Sequence, residues 1–185
     1  MTPPDRAELG RRLVERAYLE GDFVLRSGRR SRYYLDKYRF ETEPSLLAGI
    51  GRELARMVGE HAPGVDLLAG PELGAVPLAA VTSIETGLPY LLVRKAAKEY
   101  GTANRLEGVF EPGQTVCVVE DVVTSGGALL QAVDALREAD LDVSAAICVV
   151  DREEGGAEAI ASAGITFASL FTSSSLGVGS PAANA

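Results

Sequence analysis

From residue 66 onward, short apolar runs alternate with segments of helical spacing, and this alternation restricts the chain more than any other feature. The order is Asp-Leu-Leu-Ala-Gly, a helix over 75–86, Pro-Tyr-Leu-Leu-Val-Arg, Thr-Val-Cys-Val-Val-Glu, a helix over 127–139, and Val-Ser-Ala-Ala-Ile-Cys-Val-Val. Runs too apolar to have a wet face must be covered on both sides, so the pattern predicts an α/β fold with a central, mostly parallel sheet flanked by helices. In the helix from Gly127, Leu129, Val133 and Leu136 line one face while Gln131, Asp134 and Arg137 point elsewhere. A helix over 158–163 and a strand over 165–170 close the pattern.

Ahead of it, Leu9, Leu13 and Ala17 mark one face of a first helix of about four turns, with Gly21 placed to stop it. Residues 23–26 and 32–36 read as short strands around a Ser27-Gly28 turn. A helix over 45–61 carries Leu46, Ile50, Leu54 and Val58 on one stripe and ends at Pro63-Gly64. The Ser, Gly and Ala-rich stretch 172–185 is expected to be disordered, leaving 1–171 as a single domain.

With 185 residues, 46% hydrophobic and 24% charged, one core is expected. The net charge of -8 argues against nucleic acid as a partner. The sequence has neither a run long enough to span a bilayer nor a signal-peptide pattern, so a cytoplasmic protein without a membrane partner is expected. Cys117 and Cys148 each sit in an apolar run and read as buried hydrophobes. His61, the sole histidine, reads as a polar residue near a helix end, leaving little for a zinc site or a histidine triad.

The chemistry begins at VVEDVVTSGGA, residues 118–128. A buried strand delivers Glu120 and Asp121 to its carboxyl end, and Thr124, Ser125, Gly126 and Gly127 then turn the chain into a helix. A helix start exposes unpaired N–H groups with partial positive charge, and glycines let a phosphate approach them. Carboxylates would repel phosphate inside a P-loop, which also needs a lysine absent here, but they suit sugar hydroxyls. The combination matches a ribose 5-phosphate. The segment resembles the phosphoribosyl pyrophosphate signature of type I phosphoribosyltransferases. In that resemblance Glu120 and Asp121 hold the ribose hydroxyls, and Val122, Val123, Thr124, Ser125, Gly126, Gly127 and Ala128 form the 5-phosphate turn.

Arg94 and Lys95 end an apolar strand, and Lys98 follows in a polar stretch too long for a tight turn. Departing pyrophosphate accumulates negative charge, which such cations would neutralise. The pattern R-K-x-x-K-x-Y-G-T over 94–102 is similar to the catalytic loop of orotate phosphoribosyltransferases. That resemblance implies Arg94, Lys95, Lys98 and Asp121 as catalytic residues and a homodimer whose loops cross into the neighbouring site. Tyr100 stands where many members have His.

Orotate carries a carboxylate that a guanidinium can bind through two hydrogen bonds. Arg152, in Asp-Arg-Glu-Glu-Gly-Gly at the end of another strand, is the candidate; D-R-E-x-G-G is similar to the family's orotate-binding segment, and Thr124 matches a residue that also touches the base. F-V-L-R-S-G-R-R-S-x-Y-Y-L-D over 23–36 resembles the family's opening hairpin. It implies a small N-terminal hood, formed largely by 1–40, with Arg26 in place of the usual donor-contacting Lys and with Tyr34 and Leu35 covering the base. The turn 70–75, Gly-Pro-Glu-Leu-Gly-Ala, is similar to the family's pyrophosphate loop.

The resemblance therefore implies transfer of the 5-phosphoribosyl group from phosphoribosyl pyrophosphate to orotate, with Mg²⁺ held mainly through substrate oxygens rather than by a protein metal site. A transferase for another base, or a non-catalytic sensor of the donor, are the alternatives. A decarboxylase acting on the product would belong to a separate chain.

Overall fold

The computed structural model describes residues 5–24, 30–96 and 105–178. Helix α1, Arg6–Ala17, starts where the Asp5 side chain accepts from Glu8 N at 2.8 Å, and it buries Leu9, Leu13 and Ala17. It stops earlier than expected. Tyr18 is already extended and opens strand β1, Tyr18–Val24, so the helix has 12 residues and Gly21 lies inside the strand. The pull comes from β2, Arg30–Leu35: Tyr18 pairs with Leu35, its ring stacks on Tyr33 at 5.7 Å, and Asp36 N donates to Ala17 O. The two strands form an antiparallel pair, as the sequence implied for the hood. The expected turn at Ser27-Gly28 lies outside the described residues, as does Arg26.

A five-residue helix, α2, Lys37–Glu41, follows the hairpin. Helix α3, Pro44–His61, has Pro at its first turn and buries Leu46, Ile50, Leu54, Met57 and Val58. The alternating region then forms β3 (Leu67–Pro71), α4 (Ala75–Thr86), β4 (Tyr90–Val93), β5 (Leu106–Glu107), β6 (Thr115–Val123), α5 (Gly127–Arg137), β7 (Asp142–Asp151), α6 (Gly156–Ser162) and β8 (Thr166–Thr172). The sheet order is β5-β4-β3-β6-β7-β8, parallel throughout except for β5, which runs antiparallel to β4.

Side chains of β6 alternate between two apolar clusters. Cys117 and Val119 pack with Ile50, Leu54 and Leu78 from α3 and α4. Val116 and Val118 pack with Leu129, Val133, Leu136 and Ile160 from α5 and α6. Both cysteines are fully buried and free, and burial pushes the Cys117 thiol up to about 12 and that of Cys148 well above its ordinary value. From β3 the chain crosses to β4 on one side and later returns to β6 on the other. The crevice at the carboxyl ends of β3 and β6 is therefore a topological switch point, where open α/β sheets bind their ligands.

Residues 172–178, expected from their composition to belong to a disordered tail, are instead bonded and packed against the sheet. Thr172 is the last residue of β8, Ser173 N donates to Asp151 O at 2.8 Å, and the Ser174 N–H and hydroxyl both donate to Glu153. Val178 is buried. The polar side chains close hydrogen bonds onto the sheet edge, which a composition count does not register; residues 179–185 lie outside the described set. Among the described residues no helix is long and apolar enough to cross a membrane.

Core position and surface position should separate cleanly in denaturant unfolding. Leu54 is fully buried and Val109 is 89% exposed. Leu54→Ala is expected to lower the unfolding free energy by about 3 kcal/mol, whereas Val109→Ala should stay within about 0.5 kcal/mol.

Candidate active site

Strand β6 carries the acid pair to the switch point. Glu120 and Asp121 are 7% and 2% exposed. Asp121 N donates to Glu120 Oε1 at 3.0 Å, and Val122 N donates to Asp121 Oδ1 at 2.5 Å. Burial first, and the neighbouring Asp121 charge second, push the Glu120 carboxyl up to about 8. The only cation in contact with the pair among the described residues is Lys37, whose ammonium is ion-paired to Asp121 Oδ2. Burial pulls that ammonium down, but the Asp121 charge more than restores it, so its pKa is raised.

A third carboxyl joins this group. Glu41, at the end of α2, is 3% exposed and is pushed up to about 8, mostly by burial and then by Asp121. Gly74 makes the convergence possible. A Cβ there would collide with Asp121 Oδ2 and lie 2.9 Å from both Glu41 Oε1 and Lys37 Nζ.

After β6 the chain bends through Thr124 and Ser125, and Gly126 caps α5 with φ 79°. Leu130 N makes the first intrahelical bond, to Gly126 O at 2.9 Å, so the amides before it face outward from the helix start. Thr124, Ser125, Gly127 and Ala128 are exposed, and around Gly127 there is open space apart from Ser125 Oγ. The turn is braced from behind by Gly156, where any Cβ would strike Thr124 O and the Val123 side chain.

Arg94 and Lys95 stand across the same crevice. Arg94 N donates to Arg105 O at 2.8 Å, Arg105 Nε donates to Arg94 O at 3.3 Å, and Lys95 N donates to Glu72 Oε1 at 2.7 Å. Together Lys37, Glu72, Arg94, Lys95, Arg105, Glu120, Asp121, Val122, Thr124 and Ala128 contribute to the wall of a cavity of about 350 Å³. Lys98 and Tyr100 lie outside the described residues. A larger groove of about 750 Å³, between α1 and the end of β8, shares none of these groups and holds no such charge arrangement.

Arg152 directly follows β7, the next strand in the sheet. Its N–H donates to Val123 O at 2.9 Å, which ties it to the phosphate turn. Its guanidinium donates to the Tyr33 hydroxyl at 2.8 Å, lies 5.1 Å from the Tyr33 ring centroid and pairs with Glu154 at 3.1 Å. Its Nε is buried without a hydrogen-bond partner among the described residues. The aromatic partner of Arg152 is thus Tyr33, the residue before the Tyr34-Leu35 pair. Strand alternation puts Tyr33 on the Arg152 side, Tyr34 packs on Phe23 at 5.6 Å, and Leu35 is buried in the apolar core.

Lys37, Glu41, Tyr33 and Arg105 escaped the sequence reading. Lys37 directly follows the hairpin motif, yet a lone lysine in Lys-Tyr-Arg-Phe reads as a solvated helix charge. Arg105 sits beyond the R-K-x-x-K pattern, and only the pairing of β4 with β5 returns it to Arg94.

Known proteins with this arrangement are phosphoribosyltransferases. The model of the phosphoribosyl transferase domain matches residues 39–168. An orotate phosphoribosyltransferase of Methanocella arvoryzae is 51% identical over 84% of this chain and 87% of its own length, and one of Halobacterium salinarum gives the same figures. A solved structure of the Mycobacterium tuberculosis orotate phosphoribosyltransferase in complex with 5-phospho-alpha-D-ribosyl 1-diphosphate has a TM-score of 0.80 at 33% identity, covering 95% of this chain and all of that one. The chain belongs to the orotate phosphoribosyltransferase family.

The buried Glu41 proton has a consequence for stability. Its folded pKa, about 8, lies above the ordinary 4.5, so the folded form holds a proton that the unfolded form gives up. That contribution is complete below about pH 4.5 and is lost as pH rises to about 8. In melts from pH 5 to 9, Glu41→Gln is expected to gain on the parent protein up to about pH 8 and then run parallel; a constant gap would show that Glu41 titrates normally.

Proposed function

We propose that this chain transfers the 5-phosphoribosyl group of phosphoribosyl pyrophosphate to orotate, giving orotidine 5'-monophosphate and pyrophosphate in the synthesis of UMP. The observation that carries this reading is the acid pair at the end of β6, followed at once by a glycine turn into α5 and faced by Arg94 and Lys95 across one cavity. A ribose 5-phosphate with a pyrophosphate at its anomeric carbon needs those three features together.

Orotate N1 attacks the anomeric carbon as the bond to pyrophosphate breaks, the electron pair leaves with the pyrophosphate oxygen, and the N1 proton passes to the departing pyrophosphate or to solvent. Asp121 and Glu120 accept hydrogen bonds from the ribose hydroxyls. The amides and hydroxyls of Val122, Val123, Thr124, Ser125, Gly126, Gly127 and Ala128 bind the 5-phosphate at the positive end of α5. Arg94, Lys95 and Lys98 neutralise the leaving group, and Arg26 contacts the donor. Arg152, already oriented by Tyr33, exchanges Glu154 for the orotate carboxylate, with Thr124 beside the base. Stabilisation of developing charge by groups fixed in advance supplies most of the acceleration.

Mg²⁺ fits this site as a companion of the donor. The cavity is lined by cations as well as acids. The ion would be held through pyrophosphate and hydroxyl oxygens and would offset the charge of the leaving group.

The working form is a cytoplasmic homodimer in which the 94–102 loop serves the neighbouring site. Leu73 and Ile84, exposed at 65% and 80% before and on α4, offer apolar surface to a second copy. Residues 1–171 act as one domain, with the hairpin as hood.

The assay is the loss of orotate absorbance with Mg²⁺ and the ribose donor, with uracil and purine bases as controls; consumption of a control base in place of orotate would overturn the assignment. Arg152→Ala is expected to raise the orotate KM at least tenfold, about 1.4 kcal/mol, while changing the donor KM far less. For the shared site, mixing inactive Lys98→Ala with inactive Asp121→Asn should restore part of the activity. Mixtures without activity would exclude loops that cross between subunits.

A further inference from the structure

Glu41 has no place in the reaction above, yet its surroundings are not those of a structural acid. Its Oε1 is buried without a hydrogen-bond partner among the described residues. Buried polar atoms are almost always paired, and one left open beside a site marks a group waiting for a partner. Lys37 lies four residues earlier on α2, so the two side chains share one helix face. Both reach the same spot, 2.9 Å from a Cβ at Gly74, where Asp121 also sits. Lys37 is paired with Asp121 and not with Glu41.

This places an obstacle in the path of the donor. Asp121 is expected to receive a ribose hydroxyl, but its outer oxygen is occupied by an ammonium. Simple withdrawal of Lys37 would leave a cation that is only 30% exposed without a partner in a partly desolvated crevice. We propose that Glu41 is the second berth of the Lys37 ammonium: when the donor hydroxyls take Asp121, Lys37 swings across Gly74 to Glu41. The proposal rests on the assignment of Asp121 to the ribose. Lys37 and Glu41 thereby act as positioning residues that free the acid pair without stranding a charge.

The electrostatics of the free site agree with this exchange. The charges acting on Glu41 are Asp121 on β6 and, from its own stretch of chain, Lys37 and Asp36; Glu120 acts on Lys37. The other neighbours of α2, helices α1 and α3, join it in the apolar cluster of Leu13, Phe40 and Leu46. While Lys37 serves Asp121, Glu41 therefore keeps its proton at neutral pH. Once the ammonium arrives, the carboxylate becomes the favoured form. Binding of the donor then releases a proton and strengthens with pH up to about 8.

The test is calorimetric titration of the full-length protein with Mg-phosphoribosyl pyrophosphate at pH 7 in two buffers of different ionisation heat. The unmodified protein should release a large part of one proton per site more than Glu41→Gln, which supplies the baseline for the phosphates and for Glu120. Between pH 6.5 and 8 its affinity should rise about tenfold more than that of the variant. Lys37→Met, which keeps Glu41 but removes the migrating charge, should also lose the extra proton, and Lys37→Arg should regain it. Equal proton release by the unmodified protein and Glu41→Gln, or release that persists in Lys37→Met, overturns the exchange. A protein that binds no donor at all would instead defeat the assignment of the site.

Discussion

Two adjacent carboxyl groups, almost wholly removed from water at the end of β6, set the conditions for the rest of the site. Bringing one such group into the interior without a partner costs several kcal/mol, and here Glu41 makes a third. The chain meets that cost in different ways. Lys37 neutralises Asp121, the Asp121 amide donates to Glu120, and two of the three acids stay protonated at neutral pH. Their position follows from the parallel sheet, because the strand that carries them is covered on both faces up to its last residues. The same burial that makes the acids expensive strengthens the hydrogen bonds they make in a low-dielectric crevice.

The phosphate turn shows how packing fixes chemistry. Gly126 adopts a left-handed conformation, and Gly156 lets the start of α6 touch Thr124 O without a side chain between them. Helix starts from two successive strand crossovers thus support each other through backbone contact. A turn held in this way has its amides aimed before any ligand arrives, and it spends no ordering entropy on capture. Arg152 gains a similar rigidity from its amide bond to Val123 and from the ring and hydroxyl of Tyr33.

The sheet, its crossover helices and the acid-glycine segment were legible because strong signals coincide there. Continuous apolar runs mark buried parallel strands, and Val116 to Val119 turned out to face two cores as such a run requires. What stayed hidden depended on contacts between distant segments. Helix α2 is five residues long and β5 only two, too short for any period to register. Tyr33 rather than Tyr34 meets Arg152 because pairing with β1 sets which face of β2 turns inward, and α1 yields at Tyr18 to that same pairing. Lys37 and Glu41 acquire meaning only through Gly74, thirty-odd positions away. Thr172 and Ser173 looked like part of a solvent-loving tail until Asp151 gave them partners.

The neck at Arg94 and Arg105 carries a different kind of implication. Two hydrogen bonds between these residues, continued by the pairing of Val93 with Leu106 and Leu92 with Glu107, bring both ends of the intervening segment to neighbouring points on the sheet edge. These contacts fix the register of β4 against β5. Such a segment can lengthen, shorten or change its charges across generations while the scaffold below keeps its register. Reach and reactivity can be revised separately from the architecture that anchors them.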